Sequence, residues 1–311
     1  MEEGKCSSVA VLMSTYNGEL YLREQLDSIF RQKYVNVTIY VRDDGSADNT
    51  IDILSDYEKC YPGKIYVDRG INVGWKRSFM ELVRRTSKLS CKYDYYAFSD
   101  QDDIWLPEKL KRATESLSEI KNEIKLYCSN QYYYKDGVNQ GCVRTREVMK
   151  PTVENSLIRN LAIGCTIVTS PRLMMLMASG EPAGPPPHDF WIYQLAVLMG
   201  EAIVDHNSYI LYRQHNTNQI GAKKSKFDIW KRRVRKLLFP DIKHEREIQA
   251  RELLRIYSEF MSEDVRLKVG RVAYYRKSFA SRLRLMMNHN YTSGKASNDF
   301  WLRLRILFGQ L

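Results

Sequence analysis

The apolar positions in the N-terminal two thirds of the chain change period repeatedly, from continuous runs to helical stripes and back. Residues 9–13 are all apolar and break at Ser14, Thr15, Tyr16, Asn17 and Gly18, after which Leu22, Leu26, Ile29 and Phe30 recur at helical spacing. The unit repeats with a strand at 37–41 and a helix from about Asp48 through Ile51, Leu54 and Tyr57. It repeats again with a strand at 65–67, a turn at Asn72 to Gly74 and a stripe of Trp75, Phe79, Leu82 and Val83. An aromatic strand at 93–98 follows, and Pro107 opens a helix with Leu110, Ala113, Leu117 and Ile120 on one side. Strands alternating with helices predict an α/β fold, a mostly parallel central sheet with helices on both faces.

Further strands are expected at 126–128, 167–169, 202–205 and 209–212, with an irregular, tyrosine-rich excursion over 131–143. A Gly/Pro-rich loop at 180–187 delivers His188 and Asp189 to the start of a helix carrying Phe190, Trp191, Tyr193, Leu195 and Leu198. Helical patterns then continue over 226–239, 248–260 and 265–285, and the end of the chain, 300–308, mixes Arg303 and Arg305 with Phe300, Trp301 and Phe308.

Charge divides the chain as the periods do. From Lys223 onward there are 22 Lys and Arg against 9 Asp and Glu, a balance of +13, which leaves −2 for residues 1–222. We therefore expect a catalytic domain over 1–222 and a C-terminal helical region over 223–311. A basic amphipathic helix with Trp230 and Phe227 suits an anionic membrane surface, and the same apolar faces suit packing on the catalytic unit or a second copy in a homo-oligomer. Nucleic acid is a poorer match, because no recognised nucleic-acid motif interleaves the basic residues. The six cysteines are scattered singly, as in a reducing compartment, and neither an N-terminal signal nor a membrane-spanning window is present. A cytoplasmic enzyme is the default expectation.

The chemistry is concentrated where strands end. Asp100, Asp102 and Asp103 follow the strand at 93–98, and crowded carboxylates repel unless a divalent cation or a positive partner neutralises them. Ser14 to Asn17, Asp43 to Ser46 and Asn72 to Gly74 also follow strands, so the four segments are expected along one rim, outside the carboxyl ends of the sheet. Taken singly, each has a plainer reading. Asp43 to Ser46 can be an Asx turn, the acidic run a helix-capping turn, and Asp189 a helix cap.

In combination and order, these motifs resemble glycosyltransferase family 2, the inverting enzymes of the GT-A fold, over roughly residues 8–220. The string FSDQDDIWLPEKL at 98–110 is most similar to the family's bacterial rhamnosyltransferase-type and capsule-type members. The resemblance implies a sugar nucleotide, dTDP- or UDP-linked, as donor and a cell-surface polysaccharide or lipid-linked glycan as acceptor. It places Ser14, Tyr16 and Asp44 at the nucleoside and Asp100 on the ribose side, with Asn17, Asn72, Gly74, Gln101, Trp105 and Arg213 also binding the nucleotide sugar, Arg213 at the phosphates, and Asp102 with His215 on Mn2+ or Mg2+. Asp103, Gly164, Cys165, Thr166 and His188 would line the sugar and acceptor pocket. The general base would be Asp189, with Glu181 as the fallback. A reading of a different class, a non-catalytic nucleotide-binding scaffold with a basic tail, stands beside it.

Overall fold

The computed structural model describes residues 6–89, 92–144, 149–184, 186–214, 235 and 244–311. The chain forms two compact units. The first comprises Met1–Val148, Ala162–Ala196 and Gly200–His215, and the second Met149–Leu161, Val197–Met199 and Asn216–Leu311. The second unit thus also takes two short segments from before residue 200.

The first unit is built on one nine-stranded sheet. Strands β1 (Ser7–Thr15), β2 (Val35–Asp43), β3 (Ile65–Arg69) and β4 (Tyr95–Ser99) are parallel and lie in the order β3-β2-β1-β4. β1 sits between two parallel neighbours, and its residues 9–13 have no exposed surface, which is why it reads as an unbroken apolar run. Alternate residues Val9, Val11 and Met13 pack with Leu22, Leu26 and Ile29 of helix α1 (Leu22–Phe30) and Ile53, Leu54 and Tyr57 of helix α2 (Thr50–Cys60). Helix α3 (Trp75–Thr86) packs on β1 and β2 through a separate set, Phe79, Met80, Leu82 and Val83.

Past β4 the sheet is mixed, and here the structure departs from the sequence expectations. Ile104 and Trp105 form a short strand β5, and helix α4 (Lys109–Ser118) begins two residues after Pro107. The excursion at 131–143 is regular. β6 (Lys125–Lys135) runs straight into a hairpin with β7 (Val138–Cys142), turning at Asp136 and Gly137 with φ of 50° and 79°. Positive φ at both turn residues is the hairpin geometry that an Asp-Gly pair favours. The expected strands at 202–205 and 209–212 are one strand, β9 (Glu201–Arg213), parallel to β6. Its register advances from Cys128↔Val204 to Asn130↔Ser208, so the polar stretch that looked like a loop is a bulge. β8 (Ile167–Thr169) bridges β4 and β6, antiparallel to both, and β5 closes the edge against β9. Helices α5 (Val153–Ser156), α6 (Pro171–Ser179) and α7 (His188–Met199) complete the element order before β9.

In the second unit the helical pattern expected over 265–285 is interrupted. One helix spans Glu263–Ala273 and the next Phe279–Met287, with Ser278 Oγ accepting from Ser281 N at 3.0 Å as the cap of the latter. Buried Glu247 gathers Arg251 (2.6 Å) and Arg276 (2.5 Å), so part of the positive charge of this unit is neutralised internally. The helix expected over 226–239 lies outside the described residues. Among the described residues no helix is long and apolar enough to cross a membrane.

Gly200, which joins α7 to β9, tests the fit of the sheet edge, because a Cβ there would overlap the Ile124 carbonyl oxygen. Gly200→Ala is expected to lower stability by about 1–3 kcal/mol in urea unfolding; an unchanged midpoint would contradict this packing.

Candidate active site

The rim predicted from the sequence is formed by loops tied together through side chains. Asp43 ends β2 and accepts hydrogen bonds from Thr15 Oγ1 (2.9 Å), Gly45 N (3.1 Å), Ser46 N (2.8 Å) and Ser46 Oγ (2.5 Å), so it shapes the loop from inside. Asn17, at φ 47°, accepts from Ala47 N through Oδ1 at 2.9 Å while its own N–H donates to Ser46 Oγ at 2.9 Å. Gln101 reaches back to Tyr16, accepting from its N–H (2.8 Å) and donating to its carbonyl (3.0 Å). That double bond joins the loop after β4 to the loop after β1. Gly18 is required beneath it, since a Cβ there would come within 2.5 Å of Gln101 Oε1.

Asp44 is 2% exposed. It accepts from Arg42 Nη1 (2.6 Å), Val73 N (2.9 Å) and Gly74 N (2.8 Å), so the turn at 72–74 is folded onto it. Ser14 Oγ meets Ser78 Oγ of α3 at 2.5 Å. Tyr16 and Asn72 remain exposed on the same edge.

The second half of the site is a withdrawn acidic cluster. Asp103 has no exposed surface, and burial together with Asp100 and Asp102 pushes its carboxyl well above the usual range. Asp100 is raised to about 7 by loss of water and then by the charges of Asp102 and Asp189. Asp189 therefore belongs to the same cluster, although 86 residues separate it from Asp103. Carboxylate oxygens of Asp100 and Asp103 and the Cys165 thiol lie within 4.8 Å of one another. Buried Asp103 Oδ2 has no hydrogen-bond partner among the described residues. An orphaned carboxylate oxygen amid other oxygen donors fits a hard divalent cation.

Two basic groups attend this cluster. Arg213, at the end of β9, donates from its backbone N–H to Asp103 Oδ1 (3.2 Å) and from Nε to the Asp102 carbonyl (2.9 Å), and its guanidinium also pairs with Glu24 and lies over Tyr21 and Tyr134. Lys109 is 1% exposed, with Nζ 3.4 Å from the centroid of the Trp105 ring. Burial lowers its ammonium to about 7 while Cys165 and Asp103 oppose the shift.

Several expected site residues serve the site from beneath. Trp105 is 2% exposed in the core, where its ring supports Lys109 instead of facing the cleft. His188 is 4% exposed, its ring stacked on Phe79 (3.9 Å) and tilted against Phe98 (4.9 Å). Gly164 leaves room for that ring, since a Cβ there would sit 2.8 Å from Nε2, and Thr166 Oγ1 donates to the Ile163 carbonyl. Asp189 stands in the first turn of α7 and is not its cap, which is Pro187. Glu181 is exposed on the preceding loop, and His215 lies outside the described residues. Sequence reasoning passed over Arg42, Ser78 and Lys109. Arg42 left one signal, a charged residue in the last turn of an otherwise buried strand.

Residues 10–174 match the model of Glycosyl transferase family 2, more than half of the chain. The chain belongs to this family. Within it, the chain is 32% identical over 219 residues to the dTDP-rhamnosyl transferase RfbG of Shigella flexneri, covering 68% of this chain and 74% of that protein. It is 25% identical over 230 residues to the Escherichia coli glucosyltransferase WfgD, described as a UDP-Glc:alpha-D-GlcNAc-diphosphoundecaprenol beta-1,3-glucosyltransferase, covering 72% and 83%. Among solved structures, residues 1–349 of S. aureus TarS with UDP-GlcNAc superpose with a TM-score of 0.55 at 17% identity, over 97% of this chain and 90% of that one. The mannosyltransferase PcManGT of Pyrobaculum calidifontis, in complex with GDP-Man and Mn2+, gives 0.53 at 13% identity, over 99% and 86%. These structures bear on the fold, which is GT-A. As a family 2 glycosyltransferase, the protein is an enzyme that draws on a nucleotide-sugar donor.

The buried His188 gives this glycosyltransferase a measurable acid response. Its imidazole is pushed down to about 3 by burial, against an ordinary value near 6.5, so the folded state resists its protonation. The corresponding stability is complete above about pH 6.5 and declines as pH falls toward about 3. His188→Leu is expected to show a smaller loss of unfolding free energy between pH 7.5 and pH 5 than the wild type; equal losses in the two proteins would refute the assignment.

Proposed function

We propose that this enzyme performs an inverting transfer of a sugar from a nucleoside diphosphate, dTDP-rhamnose or a UDP-hexose, to a cell-surface polysaccharide or lipid-linked glycan. The observation that carries the reading is the close approach of the Asp100 and Asp103 carboxylates, with the charges of Asp102 and Asp189 acting on Asp100, beside loops tied to one another at the sheet's rim. A dTDP-rhamnose donor is supported by the likeness to the Shigella flexneri dTDP-rhamnosyl transferase, and a lipid-linked acceptor by the name of the Escherichia coli relative.

In this reading the rim residues Ser14, Tyr16, Asn17, Asp44, Asn72 and Gly74 hold the nucleoside, and Asp100 and Gln101 take the ribose. Arg213, held between Glu24 and the carbonyl of Asp102, offers positive charge toward the diphosphate. Asp102, with Asp100 and Asp103 behind it, would hold Mn2+ or Mg2+, which when bound supplies Lewis-acid stabilisation of the leaving diphosphate. Asp189 accepts the proton of the acceptor hydroxyl as that oxygen attacks the anomeric carbon and the bond to the nucleoside diphosphate breaks. The basic C-terminal region suits a peripheral position on an anionic inner membrane surface, where such acceptors are presented. The scaffold reading is disfavoured, because family membership brings a catalytic precedent that a bare binding role leaves unused.

Two measurements test this. Titrating the protein with UDP-, dTDP- and GDP-sugars in the presence of Mn2+ should raise the unfolding temperature for one nucleotide class, and Asp102→Asn should abolish that Mn2+-dependent rise; a panel without any shift would refute the donor assignment. Asp189→Asn should lower kcat by about 100- to 10,000-fold with the donor KM little changed, and full activity in that variant would remove Asp189 as the base.

A further inference from the structure

Arg42 is a charged side chain inside the protein, 3% exposed, two residues before Asp44 on β2. Its guanidinium makes three hydrogen bonds and one further ion-pair contact. Nη1 donates to Asp44 Oδ1 at 2.6 Å and to Ser78 Oγ at 3.2 Å, Nη2 donates to the Ile71 carbonyl at 3.2 Å, and Nε lies 2.6 Å from Glu81 Oε2. Two of these partners lead onward. Ser78 Oγ reaches Ser14 Oγ on β1, and Asp44 takes the N–H groups of Val73 and Gly74. The backbone is shaped around the group as well, since a Cβ on Gly70 would come within 2.5 Å of Nη2.

A buried ionised guanidinium is costly unless its charge is matched, and here one planar fork hydrogen-bonds a carboxylate, a hydroxyl and a carbonyl and ion-pairs with a second carboxylate. A lysine ammonium has three donors on a flexible stem and cannot span that set. Arg42 Nη1 shares Asp44 Oδ1 with Val73 N, and Nη2 holds the Ile71 carbonyl, so the side chain ties Asp44 to residues 71–74.

We propose that Arg42 is a positioning residue for nucleoside binding, locking Asp44, the 71–74 turn and the first turns of α3 into one rigid edge of the rim. It touches no reacting atom. The inference rests on the reading of this rim as the nucleotide site, and it predicts that Arg42 governs nucleotide affinity and leaves the transfer step alone.

The test uses the full chain with Mn2+, titrated calorimetrically with UDP and dTDP, together with steady-state kinetics. Arg42→Met should raise the nucleotide Kd roughly 10- to 100-fold, the range for removing a group that orients a ligand-contacting side chain. Arg42→Lys should fall between Met and wild type. Gly70→Ala, which keeps Arg42 but intrudes on its guanidinium, should weaken binding in the same direction. kcat at saturating donor should stay within about threefold, which a merely unfolded fraction would not produce because it removes active sites, and inhibition by inorganic pyrophosphate with Mn2+ should be unchanged, which confines the effect to the nucleoside end. Should Arg42→Met fail to fold by circular dichroism, Glu81→Gln, which removes one anchor charge at an accessible carboxylate, reads the same shift. Unaltered Kd in the folded variants, or a fall in kcat at constant Kd, overturns the role of Arg42. A wild-type protein that binds neither nucleotide overturns the rim assignment and the proposal with it.

Discussion

Carboxylates withdrawn from water next to one another are the constraint around which the first unit is arranged. Asp103 is completely buried, Asp100 is raised to about 7, and Asp102 and Asp189 add their charges to the same small volume. Such a cluster is stable only if something offsets its repulsion. Part of the answer is local. Arg213 brings its backbone N–H to Asp103 and a guanidinium N–H to the Asp102 carbonyl, and Lys109 stands beneath on the face of Trp105. Buried Asp103 Oδ2 keeps no hydrogen-bond partner among the described residues.

The rim after β2 follows a different rule. There Arg42 stands between Asp44 and Glu81, and the turn at 72–74 is hydrogen-bonded to Asp44. The paired bonds between Gln101 and Tyr16 fasten this satisfied edge to the acidic loop. The two adjoining regions thus differ in electrostatic character, one with its carboxylates hydrogen-bonded to Arg42 and to backbone N–H groups, the other crowded by like charge.

Aromatic side chains pack around His188, with Phe79 stacked on its ring and Phe98 tilted against it, and Trp105 ties β5 to α1 through a hydrogen bond from its backbone N–H to Ser28 Oγ. Two residues that the family resemblance placed against the substrate, Trp105 and His188, are thus buried supports in the described structure. Adjacent residues in a motif alternate between facing the cleft and facing the core, and a motif string does not record which way each one turns.

The alternation of apolar runs and helical stripes settled, without coordinates, that β1 to β4 form a parallel sheet whose carboxyl ends carry Ser14, Asp44, Asn72 and Asp100, because period and chain direction are local properties. Charge content likewise marked off a C-terminal region. What it could not decide were pairings between distant segments. β9 passes beside β6 as a single bulged strand, β8 bridges β4 and β6, and Asp189 arrives beside Asp100 only when α7 folds against the sheet. Arg42 shows the same limit at the scale of one side chain. An arginine in a buried strand is an anomaly in sequence, and beyond nearby Asp44 its partners Ile71, Ser78 and Glu81, from the 71–74 turn and α3, are brought to it by tertiary structure, since burial and charge pairing depend on which surfaces meet.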